Sequence, residues 1–198
     1  VMASFFPPDP YGDDGQGFST PPMDPWWRPP EDELPVLVPL AERIAVTPQV
    51  ALVLTSARVF REGVEFRVDR RHRRGDLSER DWQLAQWDFH GPWARRETGR
   101  LRYGVALGDG SKALLDEPGP GFGLERPAGY SLRQSDSSGS GSEGFYLTND
   151  GLWLWPLPPE GPLELVAEWP AQGIPETRVV LDGGALRAVA AEVTRVWD

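Results

Sequence analysis

The sequence predicts a mainly β protein: an immunoglobulin-like antiparallel β-sandwich of about nine strands with a C-terminal amphipathic helix. Three observations carry that expectation. Several short segments alternate apolar and polar residues, as half-buried strands do. Turn sequences such as Arg61-Glu62-Gly63 and Asp109-Gly110 separate them at sandwich-like spacing. Nine tryptophans in 198 residues supply aromatic bulk for a two-layer core.

Residues 1–33 form a segment of a different kind. They hold eight prolines, seven acids and one arginine, with no periodicity. Proline removes backbone donors and fixes φ, so an extended arm is expected rather than helix or sheet. Phe5, Phe6, Tyr11, Phe18, Trp26 and Trp27 are more aromatics than a solvated tail carries. The arm is therefore expected to dock, on its own sandwich or on a partner chain. The sandwich domain is assigned to 34–198.

Within that domain, VALVLTSARVF at 50–60 is apolar on both faces through Leu54, and VEFRV at 64–68 alternates with Val64, Phe66 and Val68 inward. Arg61-Glu62-Gly63 joins them, and its glycine is expected to supply the left-handed position of a G1 bulge. After Ser78, a capping box with Asp81 suggests a helix, though the same residues also read as a strand. LRYGVAL at 101–107 alternates and returns through Asp109-Gly110 to residues 111–115.

Two low-complexity stretches, EPGPGFGLERPAG at 117–129 and SDSSGSGSEG at 135–144, read as long loops. FYLT, Asn149-Asp150-Gly151 and LWLW read as a hairpin. LELVAEW at 163–169 places Leu163, Leu165, Ala167 and Trp169 on one face, and ETRVVLD at 176–182 follows. Beyond Asp182, a plausible N-cap, Leu186, Val189, Ala190, Val193, Val196 and Trp197 recur at helical spacing.

Motifs for chemistry are scarce. Without cysteine there is no thiol nucleophile, disulfide or thiolate metal site. His72 and His90 lie in contexts that suggest neither a triad nor a metal centre. GPGFG at 119–123 lacks the Lys-Ser/Thr of a phosphate loop, and DPYGDDGQG at 9–17 fails calcium-loop spacing. Glu164 and Glu168 lie about 13 Å apart by strand rise, too far for a glycosidase pair, and Glu164 is expected to pair with Arg178. No enzyme, cofactor or metal is expected.

The net charge of −10 argues against a general nucleic-acid binder. It is uneven: residues 57–102 carry +4, concentrated in Arg70, Arg71, Arg73 and Arg74 around His72. Those four arginines are expected to pair within the chain or with a protein partner, and with Trp26 and Trp27 of the arm they are the candidate interaction residues. The alternative is a small-ligand or carbohydrate platform built on Trp153 and Trp155, should those rings be exposed. The neighbouring pattern favours instead a core aromatic layer that includes Trp169. No apolar run approaches the roughly 20 residues of a membrane helix, and the first residues lack an export pattern, so the expected compartment is the cytoplasm. The oligomeric state is left open.

WLWPLPPEGPLELVAEWPAQGIPE at 153–176, with ARVFREGVEF and LRYGVALGDGSKA upstream, resembles a family of conserved hypothetical proteins from GC-rich actinobacteria. The resemblance covers roughly 34–198. It implies a fold and no activity. The reading that follows is a non-catalytic protein-interaction or scaffold sandwich with a docking arm.

Overall fold

The computed structural model describes residues 24–90, 98–115 and 126–197. The arm's first aromatics, the 9–17 acidic loop and most of the 117–129 stretch lie outside the described residues.

The chain builds a sandwich-like pair of antiparallel sheets. β1 (Glu33–Leu34) is a short bridge, followed by β2 (Val36–Val46), β3 (Val50–Val59) and β4 (Val64–Arg73). Helix α1 (Glu79–His90) precedes β5 (Arg102–Leu107) and β6 (Lys112–Leu114). Then come β7 (Ser131–Gly141), β8 (Phe145–Trp155), β9 (Pro162–Trp169) and β10 (Ile174–Asp182). Helix α2 (Gly183–Val189) and β11 (Thr194–Arg195) end the described chain. One sheet has the order β2-β3-β4-β8-β7, the other β10-β9-β5-β6, and β1 pairs with β11. The connections within each sheet are hairpins: β2, β3 and β4 stay together, where an immunoglobulin domain sends its third strand to the opposite sheet.

Alternation explains the core. Leu52, Leu54, Val64, Phe66, Leu152 and Leu154 of the larger sheet and Leu163 and Leu165 of the smaller one are fully buried and belong to one apolar cluster. Burying each such side chain stabilises the fold by about 1.5–3 kcal/mol relative to leaving it in water. β9 follows its expected pattern, with Leu163, Leu165, Ala167 and Trp169 buried. On its other face Arg178 Nη1 meets Glu164 Oε2 at 2.6 Å and Arg102 meets Glu168, so both carboxylates are engaged in ion pairs across the sheet.

Several expectations are corrected. The 135–144 stretch is no loop through Gly141, because it belongs to β7 and pairs with β8 from Ser131↔Trp155 to Gly141↔Tyr146. Its small residues have a packing reason: a Cβ on Gly141 would overlap the Tyr146 ring. Asn149-Asp150-Gly151 is not a turn but the middle of β8, where Asp150 points inward to Arg70. The helix after Ser78 does form, with the Asp81 amide donating to Ser78 Oγ at 3.2 Å and Ser78 Oγ donating to Asp81 Oδ2 at 2.7 Å.

The C-terminal helix is shorter than its periodicity suggests. Asp182 caps it, accepting from the Ala185 amide at 3.1 Å, but the helix ends at Val189. A 3-10 turn at Ala190–Glu192 then leads into β11, and Val196 and Trp197 are exposed rather than buried. The Val196 amide donates to the Asp32 carbonyl, so the tail is tied to the arm by strand-like bonding.

The β3–β4 hairpin forms as expected, with Val59 opposite Val64, but for a different reason at its glycine. Gly63 is not among the positive-φ glycines; what it avoids is the indole of Trp153, which a Cβ there would overlap. Gly63→Ala is therefore expected to destabilise the fold by about 1–3 kcal/mol through overpacking. Urea unfolding of the two proteins measures it.

Candidate functional site

The strands' two faces differ chemically. Register places Val64, Phe66 and Val68 of β4 toward the opposite sheet, followed along the same face by Arg70 and His72. The apolar core thus passes into a polar one. Arg70 forks Asp150, Nε to Oδ2 at 2.7 Å and Nη2 to Oδ1 at 3.1 Å, and Ser137 Oγ donates to the same carboxylate at 2.9 Å. Burial pushes the Asp150 pKa up against the opposing pull of Arg70. It also pushes up that of Tyr103 and lowers that of His72, whose ring lies 5.0 Å from Trp82.

This placement changes the reading of the basic patch. Residues 67–73 are strand, not loop, and Arg70 is 4% exposed, so it cannot greet a partner. Arg71 pairs with Asp69 at 2.8 Å, Arg73 donates to the Pro48 carbonyl, and Arg74 pairs with Glu79 at 2.8 Å. Alternation splits Arg70 from Arg71 and Arg73, one inward and two outward. All four arginines have partners within the chain, and they are divided between two faces, with Arg70 buried and Arg71 and Arg73 exposed.

On the outward face of the larger sheet lies a second cluster: Trp26, Phe60, Trp153 and Trp155, with Trp27 packed against it. Trp153 is fully buried and Trp155 is 4% exposed. They therefore form no exposed ligand platform, and they do not share a layer with Trp169, which belongs to the core between the sheets. The cover is the arm. Trp153 Nε1 donates to the Pro25 carbonyl at 2.9 Å, Phe60 meets the Trp153 ring edge-on at 5.4 Å, and Trp26 is nearly buried. Trp26 and Trp27 thus dock this part of the arm in cis.

Arginines surround the cluster. Arg126 lies over Trp155 at 4.9 Å and Arg58 over Phe60 at 5.6 Å. Arg133 of β7 lies 4.4 Å from the Trp27 ring centroid and 5.9 Å from that of Trp26. Beside it opens a cleft of ≈ 320 Å³ lined by Trp27, Arg28, Leu115, Arg133, Gln134 and Ser135.

The same strand is an edge of its sheet. Among the described residues no strand pairs with the outer side of β7, and Asp136 through Gly141 are exposed. The opposite edge, β2, is interrupted by Pro39, by two register shifts and by Ala41 at φ 69°, devices that disfavour further pairing. β7 carries no proline and mostly serine and glycine. Sequence reasoning missed this edge because serine and glycine show no apolar period; the available signal was Leu132, whose inward position begins the strand before the small residues.

Comparison with protein-family models, curated proteins and solved structures finds no match for this chain. The resemblance to the actinobacterial family thus rests on the quoted residues alone. Among the described residues no helix is long and apolar enough to cross a membrane.

Proposed function

We propose that this chain is a non-catalytic protein-interaction module that receives an extended partner segment along the open edge of β7. The observation that carries this reading is the edge itself: an 11-residue strand, paired on one side only among the described residues, with small exposed side chains over its second half. Unpaired backbone N–H and C=O groups along such an edge can accept another strand, with main-chain hydrogen bonds providing affinity. The arm's docking supports the same reading, since it closes the aromatic face and leaves the edge beside it as the accessible recognition element. A carbohydrate platform on Trp153 and Trp155 has no corresponding surface.

Ser138 and Gly139 are adjacent, so their backbone N–H groups point to opposite sides of the strand. Proline at one position removes a bond to β8; at the other it removes only the outward donor. A displayed library of random 12-residue peptides is the probe, with selection on the intact chain. Of Ser138→Pro and Gly139→Pro, the variant that keeps the wild-type melting curve is expected to lose the selected peptides. Full binding by that folded variant, or a library that yields no ligand, overturns the reading.

A further inference from the structure

The cleft on β7 contains a cation, Arg133, whose neighbouring anions among the described residues are engaged elsewhere. Glu65 accepts from Arg58 at 2.7 Å and from Ser135, Asp136 is held by Arg67 at 2.5 Å, and Glu31 is held by Arg28 at 2.5 Å. The guanidinium of Arg133 instead lies over the Trp27 ring, and its buried Nε has no hydrogen-bond partner among the described residues. Buried donors normally find acceptors, because leaving one unmade costs its desolvation.

We propose that Arg133 is a recognition site for a single carboxylate. A guanidinium presents two parallel donors that match a carboxylate's two oxygens, and stacking on tryptophan fixes the plane of that fork in advance. Burial lowers the Arg133 pKa, the mark of a cation partly stripped of water. The charge count selects a monoanion. Arg28 is paired with Glu31, so among the described residues the cleft offers one unpaired positive charge, which suits a monoanion better than a phosphate dianion. The cleft adjoins the β7 edge, so the carboxylate is that of an extended segment lying there, on an acidic side chain or at its C-terminus. This identification of the segment rests on the edge-binding reading above; the carboxylate site does not.

Two probes separate them. N-acetyl-glutamic acid α-amide carries a side-chain carboxylate and N-acetylglycine a terminal one; each is titrated while the ¹⁵N resonance of Arg133 Nε is followed, with inorganic phosphate in parallel. A saturable shift with at least one carboxylate, larger than with phosphate, is expected, and the stronger probe tells which source the site prefers. Library-selected peptides are expected to bind Arg133→Gln about tenfold or more weakly, and Arg133→Lys at an intermediate level, with melting curves unchanged. No carboxylate-dependent shift, or a larger shift with phosphate, overturns the site. If the shift occurs but selected peptides bind Arg133→Gln as well as the parent, the site does not belong to segment recognition and that part fails. If no peptide engages β7 while the shift persists, the edge reading falls and the carboxylate site stands.

Discussion

Trp153→Ala is expected to lower the unfolding free energy by about 3–5 kcal/mol, the range for truncating a fully enclosed indole. Trp153 is 0% exposed and is the centre of the outward aromatic cluster: Phe60 meets its ring, Gly63 makes room for it, and its Nε1 holds the Pro25 carbonyl. Truncation leaves a cavity between the sheet and the arm, which backbone hydrogen bonding in β8 prevents from collapsing. It also removes the hydrogen bond by which a tryptophan of the sheet holds the arm's backbone. Residues 24–30 should therefore become accessible to limited proteolysis in Trp153→Ala at temperatures where the parent arm is protected. Trp26→Ala is expected to release the arm with a smaller loss of global stability, since it empties only the cover. Chemical denaturation and proteolysis of both variants check the order.

Asp150→Ala is expected to cost a comparable amount, about 3–5 kcal/mol, by a different mechanism. The substitution takes from Arg70 the carboxylate it forks, while the guanidinium remains between the sheets at 4% exposure. Breaking a buried pair in this way is far more damaging than replacing it. The paired substitution Arg70→Met with Asp150→Leu should recover most of the loss, because both desolvation costs vanish together.

The pH dependence distinguishes the two. Burial outweighs Arg70 at Asp150 and holds its pKa above the ordinary 3.8. In that window the folded state binds the proton more tightly than the unfolded state. The stability tied to this carboxyl is thus complete below pH 3.8 and is lost as the pH rises through its folded-state value. The difference in unfolding free energy between the parent and the doubly substituted chain should fall over that interval.

Much of the sandwich was legible because its strands alternate. Val64, Phe66 and Val68, or Leu163, Leu165 and Ala167, can be buried on one side only if the chain is extended. Asp182 and the Ser78–Asp81 box announced their helices through short-range hydrogen bonds that need no tertiary context. What stayed hidden depends on contacts distant in sequence. Asp150-Gly151 looks like a turn until Arg70, eighty residues earlier, supplies the charge that lets an aspartate sit inside a strand. β7 looks like a linker because its side chains are small where Tyr146 of β8 leans across. Alternation tells which residues share a face, but not whether a second sheet or the protein's own arm covers it; this is why Trp153 and Trp169 enter different clusters. The basic run, contiguous along the chain, is divided between two faces by the same alternation.

Amide hydrogen exchange of the full chain, with and without a peptide selected from the library, tests the interaction reading most directly. New protection is expected along β7, within Ser131–Gly141, with the arm residues 24–30 already protected before the peptide is added. Protection that appears instead along β2, or peptide binding that displaces the arm from Trp153 while leaving β7 unchanged, would contradict it.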